Sequence, residues 1–121
     1  MRYAILLLSV LLFDTNALAK SKGFSANDIL TGCRLSMTPP DRRLTPSEGI
    51  DVGTCIGIVG AILAHAGRFD RERRFCPPTG VNIGQATAVL VKYLESRPET
   101  WHTDFRALTL IVLGQTWPCN S

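Results

Sequence analysis

Four cysteines constrain this chain of 121 residues more than any other feature of its sequence. No two of them form a Cys-x-x-Cys pair, which argues against a structural zinc site and against haem attachment. An even number of cysteines in a small exported domain is instead typical of a disulfide framework, and four cysteines allow three pairings. We therefore predict two disulfide bonds, and no metal or cofactor, with the cysteines at Cys33, Cys55, Cys76 and Cys119.

The N-terminus carries a pattern that indicates export. Arg2 precedes an apolar run of 11 residues, YAILLLSVLLF, and Ala17-Leu18-Ala19 provides a small-x-small cleavage site. The run is too short for a membrane span, which needs about 20 apolar residues. We predict a cleaved secretory signal peptide over residues 1–19, a single mature domain over residues 20–121, and no membrane anchor after cleavage.

Apolar residues recur at helical spacing in four segments that are separated by turn-forming residues. This pattern predicts an all-α fold, a small bundle of four helices or slightly more, with helices at about 26–34, 52–66, 83–97 and 103–115. The second segment is apolar nearly all round, which predicts a position at the centre of the bundle. Three prolines within residues 35–50 predict an irregular connection. The predicted buried face of the fourth helix consists of Phe105, Leu108, Ile111 and Val112.

The connectivity of the helices predicts the disulfide pairing. The short link at residues 98–102 makes the third and fourth helices antiparallel neighbours. Cys76, just before the third helix, should then lie close to Cys119, just after the fourth. This leaves Cys33 to bond with Cys55. In the chain-entropy model the bond between Cys33 and Cys55 stabilises the fold by roughly 3.4 kcal/mol, and the bond between Cys76 and Cys119, which closes a longer loop, by roughly 4 kcal/mol.

The sequence holds no recognisable catalytic or nucleic-acid-binding motif. Its two histidines, His65 and His102, stand at predicted helix ends, where a structural or capping role is sufficient. There is no His-Glu-x-x-His pair, nucleophile elbow or phosphate-binding loop. The formal net charge of +3 is modest, and no basic tract is interleaved with aromatic residues. We therefore predict neither an enzyme nor a nucleic-acid binder.

Two stretches of the chain resemble a known family. FCPPTGVNIGQATAVLVKYLESRPETWH and, further on, ALTLIVLGQTWPC are similar to the Rap/Tai family of immunity proteins of type VI secretion. The resemblance begins near Phe24 and is most specific over residues 75–119. The matching positions are Cys76-Pro77-Pro78, Gly80-Val81, Gly84-Gln85, Val91-Lys92-Tyr93-Leu94, Pro98, His102 and Pro118-Cys119.

This resemblance implies both a location and a function. Members of the family are all-helical periplasmic proteins that bind and occlude peptidoglycan amidase toxins delivered by neighbouring cells. They often act as dimers, so a homodimer is possible here. The expected partner is thus a protein, the amidase, and the Rap/Tai-like helical domain is expected to cover residues 20–121.

The candidate contacts with that partner lie on two short connections. Residues 67–75 are rich in charge, and a charged loop that protrudes can face a partner, although such loops are more often simply solvated. The primary candidates are Arg68, Asp70, Arg71, Arg73 and Arg74, and the secondary candidates are Glu99 and Trp101.

Two other functions fit a small exported helical domain. One is an acid-stress chaperone of the periplasm, which would expose apolar surface when its carboxylates become protonated. The other is an assembly factor of the cell envelope. With ten acidic residues and two histidines, the chain has no distinctive acid trigger, so the immunity function is the preferred hypothesis.

Overall fold

The computed structural model describes residues 23–120, so the predicted signal peptide at residues 1–19 lies outside the described residues. Within the described range the fold is all-α and has no strand, as predicted. Four helices follow one another: α1 Ala26–Met37, α2 Pro46–Ala64, α3 Ile83–Ser96 and α4 Phe105–Thr116. Short 3₁₀ turns lie at Ala66–Arg68 and Pro98–Thr100.

Side-chain caps define where α1, α3 and α4 begin. The Ser25 hydroxyl and the Asn82 side-chain carbonyl each accept a hydrogen bond from the backbone N–H three residues further on, at 3.2 and 2.9 Å. The Asp104 carboxylate accepts from the N–H groups two and three residues further on, at 2.9 and 3.3 Å. Each bond satisfies a donor that the first helical turn leaves without a partner. Ser25 and Asn82 belong to the residue types that most often cap the N-terminus of a helix.

The start of α2 differs from its prediction, because the helix begins at Pro46 rather than near residue 52. The Thr45 hydroxyl accepts from the Glu48 N–H at 3.2 Å, and the Glu48 carboxylate accepts from the Thr45 N–H at 2.8 Å. This is a capping box, and proline suits the first helical position since its missing N–H is not needed there. As α1 also extends to Met37, the irregular connection shortens to residues 38–45.

The hydrophobic core is built mainly between α1, α3 and α4. Ile29 and Leu30 of α1 are buried in this core. The start of α1 lies beside the residues that precede α4, since the Ala26 N–H donates to the Thr103 carbonyl at 2.8 Å. The largest fully buried apolar side chains are Phe75, Phe105, Leu90, Leu94 and Leu113.

The predicted central position of α2 is wrong. Only Cys55 and Val59 of this helix are buried, while Ile50 is 69% exposed and Ile56 39% exposed on another side. Within residues 23–120, α2 is the one helix long and apolar enough to cross a membrane by length and composition. It contacts α1, α3 and α4. The structure thus leaves an exposed apolar surface, called the α2 face, made of Ile50, Gly53, Ile56 and Gly57.

The predicted pairing of the cysteines is confirmed. Cys33 of α1 is bonded to Cys55 of α2, with Cα atoms 5.3 Å apart, and both residues are fully buried. Cys76 is bonded to Cys119, with Cα atoms 4.9 Å apart. Beside this second bond, which is much more exposed, the Cys76 N–H donates to the Trp117 carbonyl at 2.8 Å. The disulfides therefore connect α1 to α2, and the end of α4 to the start of the α3 segment.

Candidate partner-binding surface

The connection between α2 and α3 contains the charged loop at residues 67–74, called here the arginine loop. Both of its ends are anchored: Ala66 is buried, and the fully buried Phe75 donates its N–H to the Ala66 carbonyl at 3.3 Å. Inside the loop, the N–H groups of the last two arginines donate to the Asp70 carbonyl at 3.0 and 2.9 Å. The arginine loop is therefore an ordered turn on a buried base.

Much of the positive charge of this loop has no partner among the described residues. The side chains of Arg68, Arg71 and Arg74 are exposed and make no hydrogen bond or ion pair within residues 23–120. Arg73 lies 3.7 Å from the Asp70 carboxylate, but both side chains are more than half exposed, so water screens this pair. The loop thus presents guanidinium groups that can form charge-assisted hydrogen bonds with an acidic partner.

A groove of about 460 Å³ separates the arginine loop from the C-terminal half of α4. We call it the arginine groove. One wall carries the charged side chains of the loop, and the other wall carries both apolar and uncharged polar side chains of α4. Its lining residues are Arg71, Glu72, Arg73, Arg74, Leu110, Ile111, Gly114, Gln115, Pro118 and Cys119.

The α4 wall contains a residue whose burial the sequence analysis predicted incorrectly. Ile111 is 49% exposed, whereas Thr109 is fully buried and its hydroxyl donates to the Phe105 carbonyl at 2.7 Å. The residues of α4 that are buried recur at spacings of three and four from Phe105, and this register places Ile111 on another side. Ile111 stands three residues after Leu108, so spacing alone also fits it to the buried face, and only the burial of Thr109 and Leu113 shows that this face is centred away from it. Sequence reasoning therefore missed the apolar wall of the groove.

The secondary candidates lie at the opposite end of α4. Trp101 is half-buried against the core, and its Nε1–H donates to the Leu94 carbonyl at 2.7 Å, which fixes the connection between α3 and α4. Glu99 is exposed and lies 3.8 Å from the guanidinium of Arg97. A helix of this length spans about 18 Å at 1.5 Å per residue. The structure thus brings three candidates of the arginine loop together in the groove, Arg71, Arg73 and Arg74. Arg68 and Asp70 of the same loop do not line the groove, and Glu99 and Trp101 lie apart from the loop.

The histidines stand apart from this groove and from each other. His65 is the C-cap residue of α2, and its Nδ1 lies 2.8 Å from the Ala61 carbonyl, one turn back in that helix. His102 is exposed in the turn before α4. Within residues 23–120, no group of three or more histidine, cysteine, aspartate or glutamate side chains could hold a metal ion.

Two carboxylates outside the groove have strongly lowered pKa values. The hydrogen bond from Arg42 lowers the pKa of Glu48 from 4.5 to about 2, with a further contribution from the Thr45 N–H. The hydrogen bond from Arg106 likewise lowers the pKa of Asp104 from 3.8 to about 2. Both carboxylates cap helices, so these shifts belong to the structural framework of the domain.

The fold and its surface define a small helical domain that is held by two disulfides and that presents a charged groove beside an ordered loop. A family model described as Rap1a immunity proteins matches residues 25–119. The match includes all four helices and both disulfides, and the chain belongs to this family. It is thus an immunity protein, a class that binds a toxin and that typically inhibits rather than catalyses. No curated protein and no solved structure matches the chain.

Proposed function

We propose that this chain is a periplasmic immunity protein that binds and occludes a peptidoglycan amidase toxin of type VI secretion. The observation that carries the proposal is the family match over the whole disulfide-bonded domain. Two disulfides without a free cysteine in the described residues suit an oxidising compartment such as the periplasm. The signal-peptide pattern at residues 1–19 supplies a route to that compartment.

Occlusion follows from the rigidity of the arginine loop. Its base is buried at Ala66 and Phe75, and the disulfide between Cys76 and Cys119 lies directly after it. A loop that is ordered before binding loses little conformational entropy when it enters a cleft. We therefore place this loop at the entrance of the amidase active site, where it excludes the cell-wall peptide.

A protection assay tests this function. Each of a panel of type VI amidase effectors is directed to the periplasm of a test strain, with or without this chain. We expect the full chain to prevent lysis by at least one effector, and a chain that lacks residues 1–19 to give no protection because it does not reach the toxin. Lysis by every effector, despite a folded and oxidised chain in the periplasm, would contradict the proposal.

We also propose that the protein forms a homodimer through the α2 face. Ile50 and Ile56 are exposed there beside glycines, and large exposed apolar side chains on one helix can form an interaction site. Sedimentation equilibrium should give a dimer for the natural protein and a monomer for Ile50→Asp. Met37→Asp is the matched control, since Met37 is 44% exposed outside this face, and it should leave the dimer intact. A monomeric natural protein would refute the dimer without affecting toxin binding.

A further inference from the structure

We propose that the arginine groove binds an acidic, extended segment of the toxin that carries an apolar side chain between its carboxylates. This inference rests on the proposed function and adds the chemistry of the contact. The groove, rather than the tip of the loop alone, would hold the partner. Charged residues of the loop and apolar residues of α4 line the same groove, so one segment can contact both.

The charged wall of the groove favours carboxylates. Arg71 and Arg74 line it with guanidinium groups that have no partner in the described part of the chain, and Arg73 adds a third that is only weakly paired. A guanidinium presents two parallel N–H groups, which match the two oxygens of a carboxylate. Acidic side chains of a partner could therefore be bound without breaking a strong ion pair within this protein.

The opposite wall favours an apolar side chain. Ile111 is 49% exposed, which is a large fraction for an isoleucine, and Leu110 next to it is half-buried. Covering such a side chain releases about 25 cal/mol for each Å² of apolar surface removed from water. A partner side chain such as leucine would gain this stabilisation while its acidic neighbours face the arginines.

A polyanion such as nucleic acid fits the groove less well. Glu72 lies in the charged wall and would repel a continuous row of phosphates. A peptide can place a polar or positively charged residue opposite Glu72, and acidic residues opposite the arginines on either side of it. The alternation of charges along this wall thus favours a protein segment with a particular order of side chains.

The pocket geometry also offers a matched control residue. Arg68 belongs to the same loop and is exposed, but it lines a separate pocket with Ala61, Ile62 and His65 on the α2 side. Reversal of its charge changes the net charge of the loop as much as reversal at Arg71 or Arg74. A difference between these variants therefore reports the groove and not the overall field of the protein.

The first measurement uses a defined probe, a fluorescein-labelled peptide that alternates glutamate and leucine. Its control is the same peptide with glutamine in place of glutamate. At about 20 mM salt, where charges are weakly screened, we expect the glutamate peptide to bind at least about tenfold more tightly. Arg71→Glu and Arg74→Glu should each weaken its binding at least about fivefold, and Arg68→Glu by less than about twofold. Equal binding of the two peptides, or an equal loss in all three variants, would overturn the proposal.

The second measurement uses the amidase that the protection assay identifies. Arg71→Glu and Arg74→Glu should each slow its association and weaken binding at least about fivefold more than Arg68→Glu does, since Arg68 belongs to the loop but does not line the groove. If this amidase binds all three variants like the natural protein, the groove proposal fails and the immunity function stands. If no amidase binds but the glutamate peptide still does so selectively, the proposed amidase partner fails and the groove remains an acidic-peptide site. Circular dichroism of each variant confirms that the helices are intact.

Discussion

The glycines Gly32 and Gly53 differ in the space that surrounds them. A Cβ atom added at Gly32 of α1 would overlap the backbone carbonyl of Asp51 in α2, so the two helices can cross closely only because Gly32 has no side chain. A Cβ added at Gly53 would meet nothing within 4 Å. The first glycine is required by packing within the protomer, whereas the second one has no such role there and lowers the helix propensity of α2.

These surroundings predict opposite effects for one substitution. Gly32→Ala should destabilise the protein by about 1–3 kcal/mol, since backbone atoms must move apart to accept the methyl group. Gly53→Ala should stabilise it by about 0.5–1 kcal/mol, the usual difference in helix propensity. Urea unfolding of both variants, at matched protein concentration, measures the two values. A stable Gly32→Ala variant would contradict the close crossing of α1 and α2.

Glu48 predicts a dependence of stability on pH. Its pKa is about 2 in the folded protein, mainly because of the hydrogen bond from Arg42, against an ordinary value of 4.5. A carboxylate whose pKa is lowered by folding stabilises the fold above its unfolded pKa, and this contribution disappears as the pH falls from about 4.5 through about 2. Glu48→Gln should therefore be less stable than the natural protein at pH 7, and the two should converge toward pH 2.

Thermal unfolding between pH 7 and pH 2 measures this convergence. The glutamine side chain keeps one oxygen that can accept the Thr45 N–H of the capping box, while it loses the charge and one of the two hydrogen bonds from Arg42. Glu99→Gln is the control, because Glu99 is exposed, caps no helix and lies 3.8 Å from its partner Arg97, so its replacement should change the stability little. Parallel curves for Glu48→Gln and the natural protein would contradict the assignment.

The helices α2 and α3 differ in their capping interactions and in the number of side chains that they bury. α2 has a complete capping box and a proline at its first position, but few of its side chains are buried. α3 has one capping side chain, Asn82, and buries a stripe that includes Leu90 and Leu94. Local sequence thus specifies where each helix begins, whereas the buried stripe decides which of them forms the core.

The cap of α3 predicts a second effect on stability. Asn82→Ala removes the acceptor of the Gln85 N–H and should cost about 1 kcal/mol. Asn82→Ser keeps an acceptor at the same position, and its cost should be smaller. Chemical unfolding compares the two variants with the natural protein. Asn82 does not line the arginine groove, so partner binding by a folded Asn82→Ala variant should be unchanged.

At the scale of the whole molecule, the two disulfides have different accessibility. Cys33 and Cys55 are fully buried within the core, while Cys76 is exposed and Cys119 is half-buried at the arginine groove. Reduction of a disulfide requires a thiolate to reach one of its sulfur atoms. The bond that supports the proposed binding surface is therefore the more accessible one.

This difference predicts an ordered reduction of the native protein. With dithiothreitol under native conditions, Cys76 and Cys119 should become alkylated first, and Cys33 and Cys55 only when the protein unfolds. Alkylation followed by peptide mass spectrometry measures the order. Loss of the more accessible bond should also lower stability by up to about 4 kcal/mol in the chain-entropy model. Simultaneous release of all four thiols would contradict the protected position of the bond between α1 and α2.

Many features of the fold could be predicted because they depend on neighbouring residues. The caps at Ser25 and Asn82 depend on bonds that span three residues, and the pairing of Cys76 with Cys119 follows from the short link between α3 and α4. The error in the start of α2 has a local cause as well, since the capping box at Thr45 was present in the sequence. The match to the Rap1a immunity proteins then confirms the family that the motifs resembled.

The sequence by itself determined the helical class, the disulfide pairs and the positions of the charged residues, because periodicity, capping and short loops are local properties. Only the tertiary structure decided that α2 exposes an apolar face, that Ile111 faces the arginine loop and that Trp101 lies at the other end of α4. An apolar residue can be buried on any side of a helix that a neighbour covers, and the number and placement of neighbours depend on the packing of the whole chain.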